Sequence, residues 1–330
     1  MKQIYDTIII GAGAVGLATA MYAGRLSLKT LVLGASSGAE FPIGGVITLT
    51  DRVDNYPGFK HLTGMELAQK LEEHARDYDI EIKEEKVLDA SKQNKLNCFA
   101  VKTKEAIYYA KTIIFATGTK WKEMQMKGAK EFKNKGVHYC ALCDGALYKD
   151  KIIAVIGGSD TAAKEALLLS QYAKKVYIIY RKDKIRAEPI NKKLIEKNKK
   201  IEVITKTNIV EISGGKFVKK VSLDKEYNGS KELAVDGIFG AIGHIPLSDL
   251  AVKLGVKVDD KKEIIIDRQS KTNVKGIFAA GDVVNSDFKQ AITGIAEGVV
   301  AAHSAYTYIN ENEFVCFFED PKYKSNNKSG

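Results

Sequence analysis

The chain has 330 residues, a hydrophobic fraction of 45% and four cysteines, which indicates a globular protein of two domains and excludes a disulfide-stabilised scaffold. No segment reaches the roughly 20 apolar residues of a membrane helix, and the chain begins with a folded motif instead of a secretion signal. The net charge of +10 is spread along the chain, and its one dense run, 191–200, is interpreted as the solvated face of a helix. We therefore expect a cytoplasmic protein that binds neither nucleic acid nor membrane.

The start of the chain predicts a strand, a glycine turn, a helix and a second strand. The run YDTIII precedes GAGAVG at 11–16, and a helical pattern follows, as in a dinucleotide-binding βαβ unit. Such a turn offers backbone N–H groups and the positive end of a helix to a pyrophosphate. A tight turn without a ligand is the alternative.

The same pattern returns at residue 151, so the chain carries two nucleotide-binding units. Basic residues follow the second strand of this later unit, where the 2′-phosphate of NADPH would lie, and Tyr180 stands where an acid would favour NADH. A solvated basic loop is the alternative. The residues expected to contact the nicotinamide cofactor are Gly157, Gly158, Ser159, Asp160, Thr161, Arg181, Lys182, Arg186 and Gly243.

Two further segments, 111–120 and 274–284, each place an apolar strand before a turn of small residues. Asp282 ends the second strand, where a carboxylate can accept hydrogen bonds from a polyol or ribose; a helix cap is the alternative. Because an early βαβ unit and this late strand end would share one dinucleotide site, the later unit is expected to be inserted. The predicted domains are 1–117 with 247–330, and 118–246.

The motif HYCALCDGALY at 138–148 contains two cysteines that suit metal ligands, structural thiols or a redox pair. A zinc site needs four ligands, and neither of the other cysteines has a close Cys or His companion, although His138 precedes Cys140 by two residues. Burying Asp144 beside Cys143 in a structural pair would be costly. Redox exchange is favoured, because two intervening residues let the sulfurs join while a turn exposes one of them, and no metal is expected.

Over nearly its full length the chain resembles the low-molecular-weight thioredoxin reductases, which are FAD-dependent pyridine nucleotide-disulfide oxidoreductases. The resemblance implies an α/β fold of two Rossmann-like, three-layer ββα domains, with FAD on the discontinuous domain and NADPH, or NADH, on the inserted one. The shared motifs, in order, are GAGAVG, DRVDNYPGF, ATG, CALCDG, GGSDTAAKEA, GHIP, AAGDV and KQAITGIAEG. The FAD contacts that it implies are Gly11, Gly13, Ala14, Gly16, Glu40, Gly45, Asn55, Ala116, Thr117, Gly118, Gly281, Asp282, Gln290, Ala291 and Ile292.

The resemblance also implies the reaction, in which NADPH reduces FAD, FAD reduces the cysteine disulfide, and the thiols reduce a thioredoxin-like or glutaredoxin-like protein. Cys143 would receive the electrons, Cys140 would attack the partner disulfide, and Asp144 would carry the proton. A helix beginning after CDG would lower a thiol pKa, and capping that helix is the alternative task for Asp144. A homodimer is implied, as is rotation of the middle domain about 117–120 and 243–247.

Departures from the family pattern leave other functions open. The usual His-Arg-Arg is replaced by Tyr180, Arg181 and Lys182, with Arg186 four residues on, and Asp160 is expected to repel a phosphate. The alternatives are a ferredoxin or flavodoxin reductase of the same fold, which lacks the cysteine pair, and a flavin-binding redox sensor without turnover. A reductase fed by another electron donor is a further possibility.

Overall fold

The computed structural model describes residues 3–34, 42–51, 53–93 and 98–314. The chain divides into unit 1, residues 1–119 and 246–330, and unit 2, residues 120–245. Unit 1 is therefore discontinuous in sequence. No helix in the described ranges is long and apolar enough to cross a membrane.

Strands and helices alternate through most of the chain. The strands are β1 (Ile4–Ile10), β2 (Thr30–Leu33), β3 (Ile80–Lys83), β4 (Asp89–Gln93), β5 (Cys98–Lys102), β6 (Ile107–Phe115), β7 (Thr119–Trp121), β8 (Val137–His138), β9 (Ile152–Ile156), β10 (Lys175–Ile179), β11 (Ile201–Ile204), β12 (Ile209–Gly214), β13 (Val218–Tyr227), β14 (Ser230–Ala234), β15 (Gly237–Gly240), β16 (His244–Pro246) and β17 (Ile277–Ala279). The α-helices are α1 (Ala14–Arg25), α2 (Gly64–Arg76), α3 (Ala141–Asp144), α4 (Asp160–Tyr172), α5 (Pro189–Lys197), α6 (Asp249–Lys253) and α7 (Ala291–Glu311). Short 3₁₀ helices span Gly45–Leu49 and Gly145–Tyr148.

The sheet of unit 1 has the strand order β3-β2-β1-β6-β5-β4, and β17 pairs with the carboxyl-terminal half of β6. Strands β1, β2, β3, β6 and β17 are parallel, whereas β5 and β4 continue the sheet antiparallel. The strands β1 and β2 are almost continuously apolar because helices cover the parallel part of the sheet. Helix α7 packs closely on α1, since Gly298 has no side chain to collide with Thr19.

Unit 2 contains a five-stranded parallel sheet of order β11-β10-β9-β15-β8 and a separate antiparallel sheet, β12-β13-β14. Helix α4 follows β9 and buries a face of small residues, including Ala162 and Ala166. Strand β8 is a short edge strand, in which His138 pairs with Phe239 of β15. The cysteine motif follows β8 directly. A parallel sheet in unit 2 and a largely parallel one in unit 1, each with βαβ units, confirm the predicted α/β class with two Rossmann-like units.

The segments that join the two units are β7 and β16, which pair as a two-stranded sheet. They overlap the predicted hinge segments 117–120 and 243–247. Within unit 1, Thr117 Oγ1 donates to the carbonyl of Leu247, and the Leu247 N–H donates to the Gly118 carbonyl. The two segments that connect the units are therefore hydrogen-bonded to each other.

Candidate active site

The first glycine turn leaves no room for side chains between β1, β6 and α1. Gly11 has a φ of 119°, and a Cβ there would lie 2.2 Å from the carbonyl oxygen of Ala116. A Cβ on Gly16 would lie 1.9 Å from the carbonyl oxygen of Gly11. Helix α1 has Gly13 at its N-cap and no acidic residue in its first turn. The helix end therefore suits an anion such as the pyrophosphate of a dinucleotide.

Distant segments of unit 1 meet this turn. The Ala14 N–H donates to the Gly44 carbonyl at 2.9 Å, which sets Gly45 beside the start of α1. Asn55 Nδ2 donates to Gln290 Oε1 at 2.8 Å, although the two residues are far apart in sequence. The other predicted FAD residues lie at the ends of neighbouring elements: Ala116, Thr117 and Gly118 after β6, Gly281 and Asp282 after β17, and Ala291 and Ile292 at the start of α7.

These positions fit FAD, but the contacts of the individual residues with it stay predictions. Glu40, one of the FAD contacts that the resemblance implies, lies outside the described residues. The helix-cap alternative for Asp282 is wrong, because the N-cap of α7 is Gln290, which forms a capping box with Thr293.

Glu297 binds the turn that carries Asp282. The sequence did not predict this role. Its Oε2 accepts the Gly281 N–H at 2.9 Å, and Lys289 Nζ donates to the Asp282 carbonyl at 3.0 Å. Burial raises the pKa of Glu297. Glu297 stands within the motif KQAITGIAEG, but the sequence does not predict its bond to a turn 16 residues earlier.

The second glycine turn repeats the close approach of backbone segments. Gly157 has a φ of 149°, and a Cβ there would lie 2.2 Å from the carbonyl oxygen of Ala241. The buried ring of Tyr180 lies against Gly158, and its hydroxyl has no hydrogen-bond partner within the described chain. The predicted residues are distributed as Gly157, Gly158 and Ser159 after β9, Asp160 and Thr161 at the start of α4, Arg181, Lys182 and Arg186 after β10, and Gly243 before β16.

The carboxylate of Asp160 fastens the loop that follows β10. It accepts the Glu188 N–H and Asn191 Nδ2, each at 2.8 Å, and forms an ion pair with Lys164 at 3.0 Å. Burial opposes ionisation, but these partners together lower the pKa of Asp160. The negative charge expected to repel a phosphate is thus compensated within the protein.

The basic loop, which follows β10 and carries Arg181, Lys182 and Arg186, folds back on the second glycine turn. The Arg186 N–H donates to the Gly158 carbonyl at 2.6 Å, and a bridge joins Arg186 to Ser159. The side chains of Arg181, Lys182 and Arg186 are exposed. A positive surface therefore lies next to the turn that would receive a cofactor phosphate.

Cys140 and Cys143 form a disulfide with a Cα–Cα distance of 5.4 Å. Helix α3 begins directly after Cys140, and the Cys143 N–H donates to Cys140 Sγ at 3.1 Å. The expectation of a helix beginning after CDG is wrong, because the helical turn starts between the cysteines and CDG leads into a 3₁₀ helix. Cys140 is 7% exposed, whereas Cys143 is exposed. In the described part of the chain, no cluster of three or more His, Cys, Asp or Glu side chains is placed to hold a metal.

The carboxylate of Asp144 contacts the imidazole of His138. Asp144 Oδ2 lies 3.0 Å from His138 Nδ1, and the side chains are 32% and 6% exposed. Asp144 occupies the N-cap position of the 3₁₀ helix without making a side-chain cap hydrogen bond. The cap alternative for Asp144 is therefore wrong.

The far side of the same imidazole contacts a phenol. His138 Nε2 lies 2.8 Å from the Tyr148 hydroxyl, and both rings pack on Phe239. Burial, with the nearby charges of Asp144 and Asp236, raises the pKa of Tyr148 to about 12. The sequence offered both residues, one on each side of the cysteines, but gave no sign that they touch.

Comparison with known proteins extends the similarity over both units. Residues 5–298 match the pyridine nucleotide-disulphide oxidoreductase family. A thioredoxin reductase of Peptoclostridium acidaminophilum is 36% identical over 320 residues, covering 94% of this chain and 99% of the relative. One of Listeria innocua is 38% identical over 317 residues, covering 94% and 95%. The crystal structure of Lactococcus lactis thioredoxin reductase matches with a TM-score of 0.87 and 35% identity, covering 93% of this chain and 99% of that one.

Glu165 in α4 supplies a test of the buried electrostatics of unit 2. Its Oε2 is buried and has no hydrogen-bond partner among the described residues, and burial raises its pKa from 4.5 to about 8. Between these values the folded chain binds the proton that the unfolded chain releases, so stability falls as pH rises from 4.5 through about 8. Glu165→Gln should remove a loss on the order of a few kcal/mol.

Urea unfolding of the wild type and Glu165→Gln across this pH window measures the difference. Glu196→Gln is the matched control, because that glutamate is an exposed helical residue of the same unit. Parallel pH dependence in the wild type and Glu165→Gln would show that the carboxyl does not titrate as its burial implies.

Proposed function

Because this chain belongs to the pyridine nucleotide-disulphide oxidoreductase family, we propose that it is a thioredoxin-disulfide reductase, passing electrons from NADPH through FAD to the Cys140–Cys143 disulfide. The final acceptor is the disulfide of a thioredoxin or of a thioredoxin-like or glutaredoxin-like protein. The observation that carries the proposal is the disulfide itself, held in a helical turn beside the carboxyl of Asp144. A ferredoxin or flavodoxin reductase would not need this pair.

The two glycine turns support a division of cofactors between the units. The turn at Gly11 and Gly13, with Asn55 and Gln290, would hold FAD on residues 1–117 and 247–330. The turn at Gly157 would hold NADPH on residues 118–246. Both turns bring backbone segments too close for side chains and end at a helix N-terminus. FAD, when bound, supplies a two-electron link between a nicotinamide and a disulfide.

The thiol chemistry follows from the geometry of the cysteine turn. Reduction of the disulfide requires two electrons and two protons and yields two thiols. The Cys143 N–H that contacts Cys140 Sγ would stabilise a thiolate on Cys140. That thiolate attacks one sulfur of the partner disulfide and the partner's other sulfur leaves; Cys143 then attacks the Cys140 sulfur and releases the reduced partner. Since Cys140 is 7% exposed, the surroundings of its sulfur must open before a protein disulfide reaches it.

Asp144 supplies a proton to the leaving sulfur when the Cys140–Cys143 bond is broken. The carboxyl immediately follows Cys143 in the chain, and its contact with His138 limits its orientation. Positioned acid–base groups of this kind are worth about 10²–10⁴-fold in rate. A cytoplasmic location and a homodimer complete the proposal, and sedimentation of the flavin-loaded protein tests the dimer.

The cysteine roles predict different trapping behaviour for two serine variants. Cys140→Ser and Cys143→Ser should both lose thioredoxin turnover while keeping NADPH oxidation by artificial acceptors. Only Cys143→Ser should form a lasting mixed disulfide with a single-cysteine thioredoxin whose thiol is first converted to a disulfide with thionitrobenzoate, because Cys140 is the attacking sulfur and thionitrobenzoate leaves. Non-reducing electrophoresis measures the complex. Trapping by Cys140→Ser instead would reverse the roles, and full turnover by either variant would refute the redox assignment.

The basic loop predicts the choice between nicotinamide cofactors. Arg181→Ala with Arg186→Ala removes charge-assisted hydrogen bonds to a 2′-phosphate worth roughly 1–3 kcal/mol. The KM for NADPH should rise by about fivefold to 150-fold, and that for NADH should stay nearly constant. Lys193→Ala with Lys197→Ala is the control, since it removes two exposed charges from the same unit. Equal effects on both cofactors would show that the loop does not bind the phosphate.

The proton role of Asp144 predicts the behaviour of a nearly isosteric variant. Asp144→Asn keeps the shape of the turn, yet it should slow thioredoxin reduction by at least about tenfold because the amide cannot exchange a proton at neutral pH. Stopped-flow measurement of thiol formation follows the affected step directly. Near-normal turnover of Asp144→Asn across neutral pH would contradict the acid–base role.

A further inference from the structure

A line of hydrogen-bonding groups leads from the cysteine turn to two residues that line a cavity. Asp144 Oδ2, the ring of His138 and the Tyr148 hydroxyl are linked by contacts of 3.0 and 2.8 Å. The cavity has a volume of about 320 Å³ and lies entirely within unit 2. Its lining includes both His138 and Tyr148. The line therefore starts at the cysteine turn and ends at the cavity.

We propose that His138 and Tyr148 form a proton relay that restores the proton of Asp144 from water in this cavity. The inference rests on the proposed function, because it concerns the proton that reduction of Cys140–Cys143 consumes. His138 and Tyr148 are positioning residues, since both act through Asp144. The relay is internal to unit 2 and needs no group from the rest of the chain.

The imidazole can satisfy its contacts before and after the transfer. When Asp144 is protonated, its O–H donates to Nδ1 and the ring donates Nε2–H to the Tyr148 oxygen. When Asp144 has lost its proton, the ring donates Nδ1–H to the carboxylate and accepts the Tyr148 O–H at Nε2. Passing from the second arrangement to the first moves one proton from Tyr148 to Nε2 and one from Nδ1 to Asp144. Tyr148 then takes one proton from cavity water, so a single proton enters overall.

Aromatic packing holds His138 and Tyr148 in place, and the environment of Tyr148 keeps its hydroxyl protonated. The His138 ring stacks on Phe239 at 5.3 Å, and Tyr148 meets the same ring edge-on at 5.6 Å. The cavity lining carries Asp236 and the cations Lys151 and Lys219. Asp236 also accepts the Ile152 N–H at 3.0 Å, so its carboxylate is fixed beside the phenol. Burial and the carboxylates raise the Tyr148 pKa to about 12, which keeps the hydroxyl proton in the neutral range.

The first test removes one hydroxyl from the line. Tyr148→Phe keeps the ring against Phe239 but breaks the path, so thiol formation in the NADPH-reduced holoenzyme should slow by about threefold to tenfold. The loss should grow as pH rises, because direct protonation of Asp144 by solvent becomes rarer. Tyr139→Phe is the matched control; its hydroxyl accepts the Met124 N–H and lies outside the line. Unchanged rate and pH profile in Tyr148→Phe would overturn the relay.

The second test separates proton transfer from simple orientation. In His138→Asn the side-chain amide can still donate to Asp144, but it cannot pass a proton from one side to the other. The relay predicts slow thiol formation that imidazole buffer accelerates, whereas an orienting role alone predicts a normal rate without buffer dependence. Thermal unfolding verifies that each variant is folded. Retained wild-type kinetics in His138→Asn would also overturn the relay.

The controls distinguish failure of the relay from failure of the reductase assignment. NADPH oxidation by ferricyanide should be equal in wild type, Tyr148→Phe and His138→Asn, because that reaction bypasses the cysteines. If the wild type oxidises NADPH but reduces no protein disulfide, the proposed function is wrong. If the wild type reduces the disulfide and both variants match it, only the relay is wrong.

Discussion

The contact between His138 and Asp144 fixes the cysteine turn to the parallel sheet of unit 2. Helix α3 has four residues, too few to be stable without tertiary contacts. His138 is held by the pairing of β8 with β15 and by stacking on Phe239. The bond to Asp144 extends that order beyond the strand end and into the turn. The orientation of the carboxyl next to Cys143, and hence the acid role proposed for it, depends on this contact.

In both units, a carboxylate on a helix accepts a backbone N–H from a nearby loop. Glu297 accepts a backbone N–H from the turn after β17, and Asp160 accepts one from the loop after β10. In each case a carboxylate on a helix fastens a loop that carries predicted binding residues. Charge-assisted bonds of this kind are stronger than neutral ones and restrict the geometry of the loop. The helices α4 and α7 therefore shape the sites as well as cover the sheets.

The sequence predicted the parts of the fold that are set by local pattern. Apolar runs before glycine turns at Gly11 and Gly157 gave both βαβ units, and the order of motifs gave the family. The contact of Asp144 with His138 was not predictable, because it depends on how β8 aligns with the turn. Asp160 was expected to face a phosphate alone, since its partner Asn191 lies 31 residues later. Helix α3 was misplaced because four residues show no helical periodicity.

If electrons pass from NADPH to the cysteine pair, anaerobic reduction followed by alkylation should detect the two thiols. Flavin-loaded protein is mixed with NADPH without thioredoxin, quenched with iodoacetamide and digested for mass spectrometry. Cys140 and Cys143 should both be alkylated after NADPH addition, and neither should be alkylated without it. Bleaching of the flavin with the disulfide still intact would contradict this electron transfer.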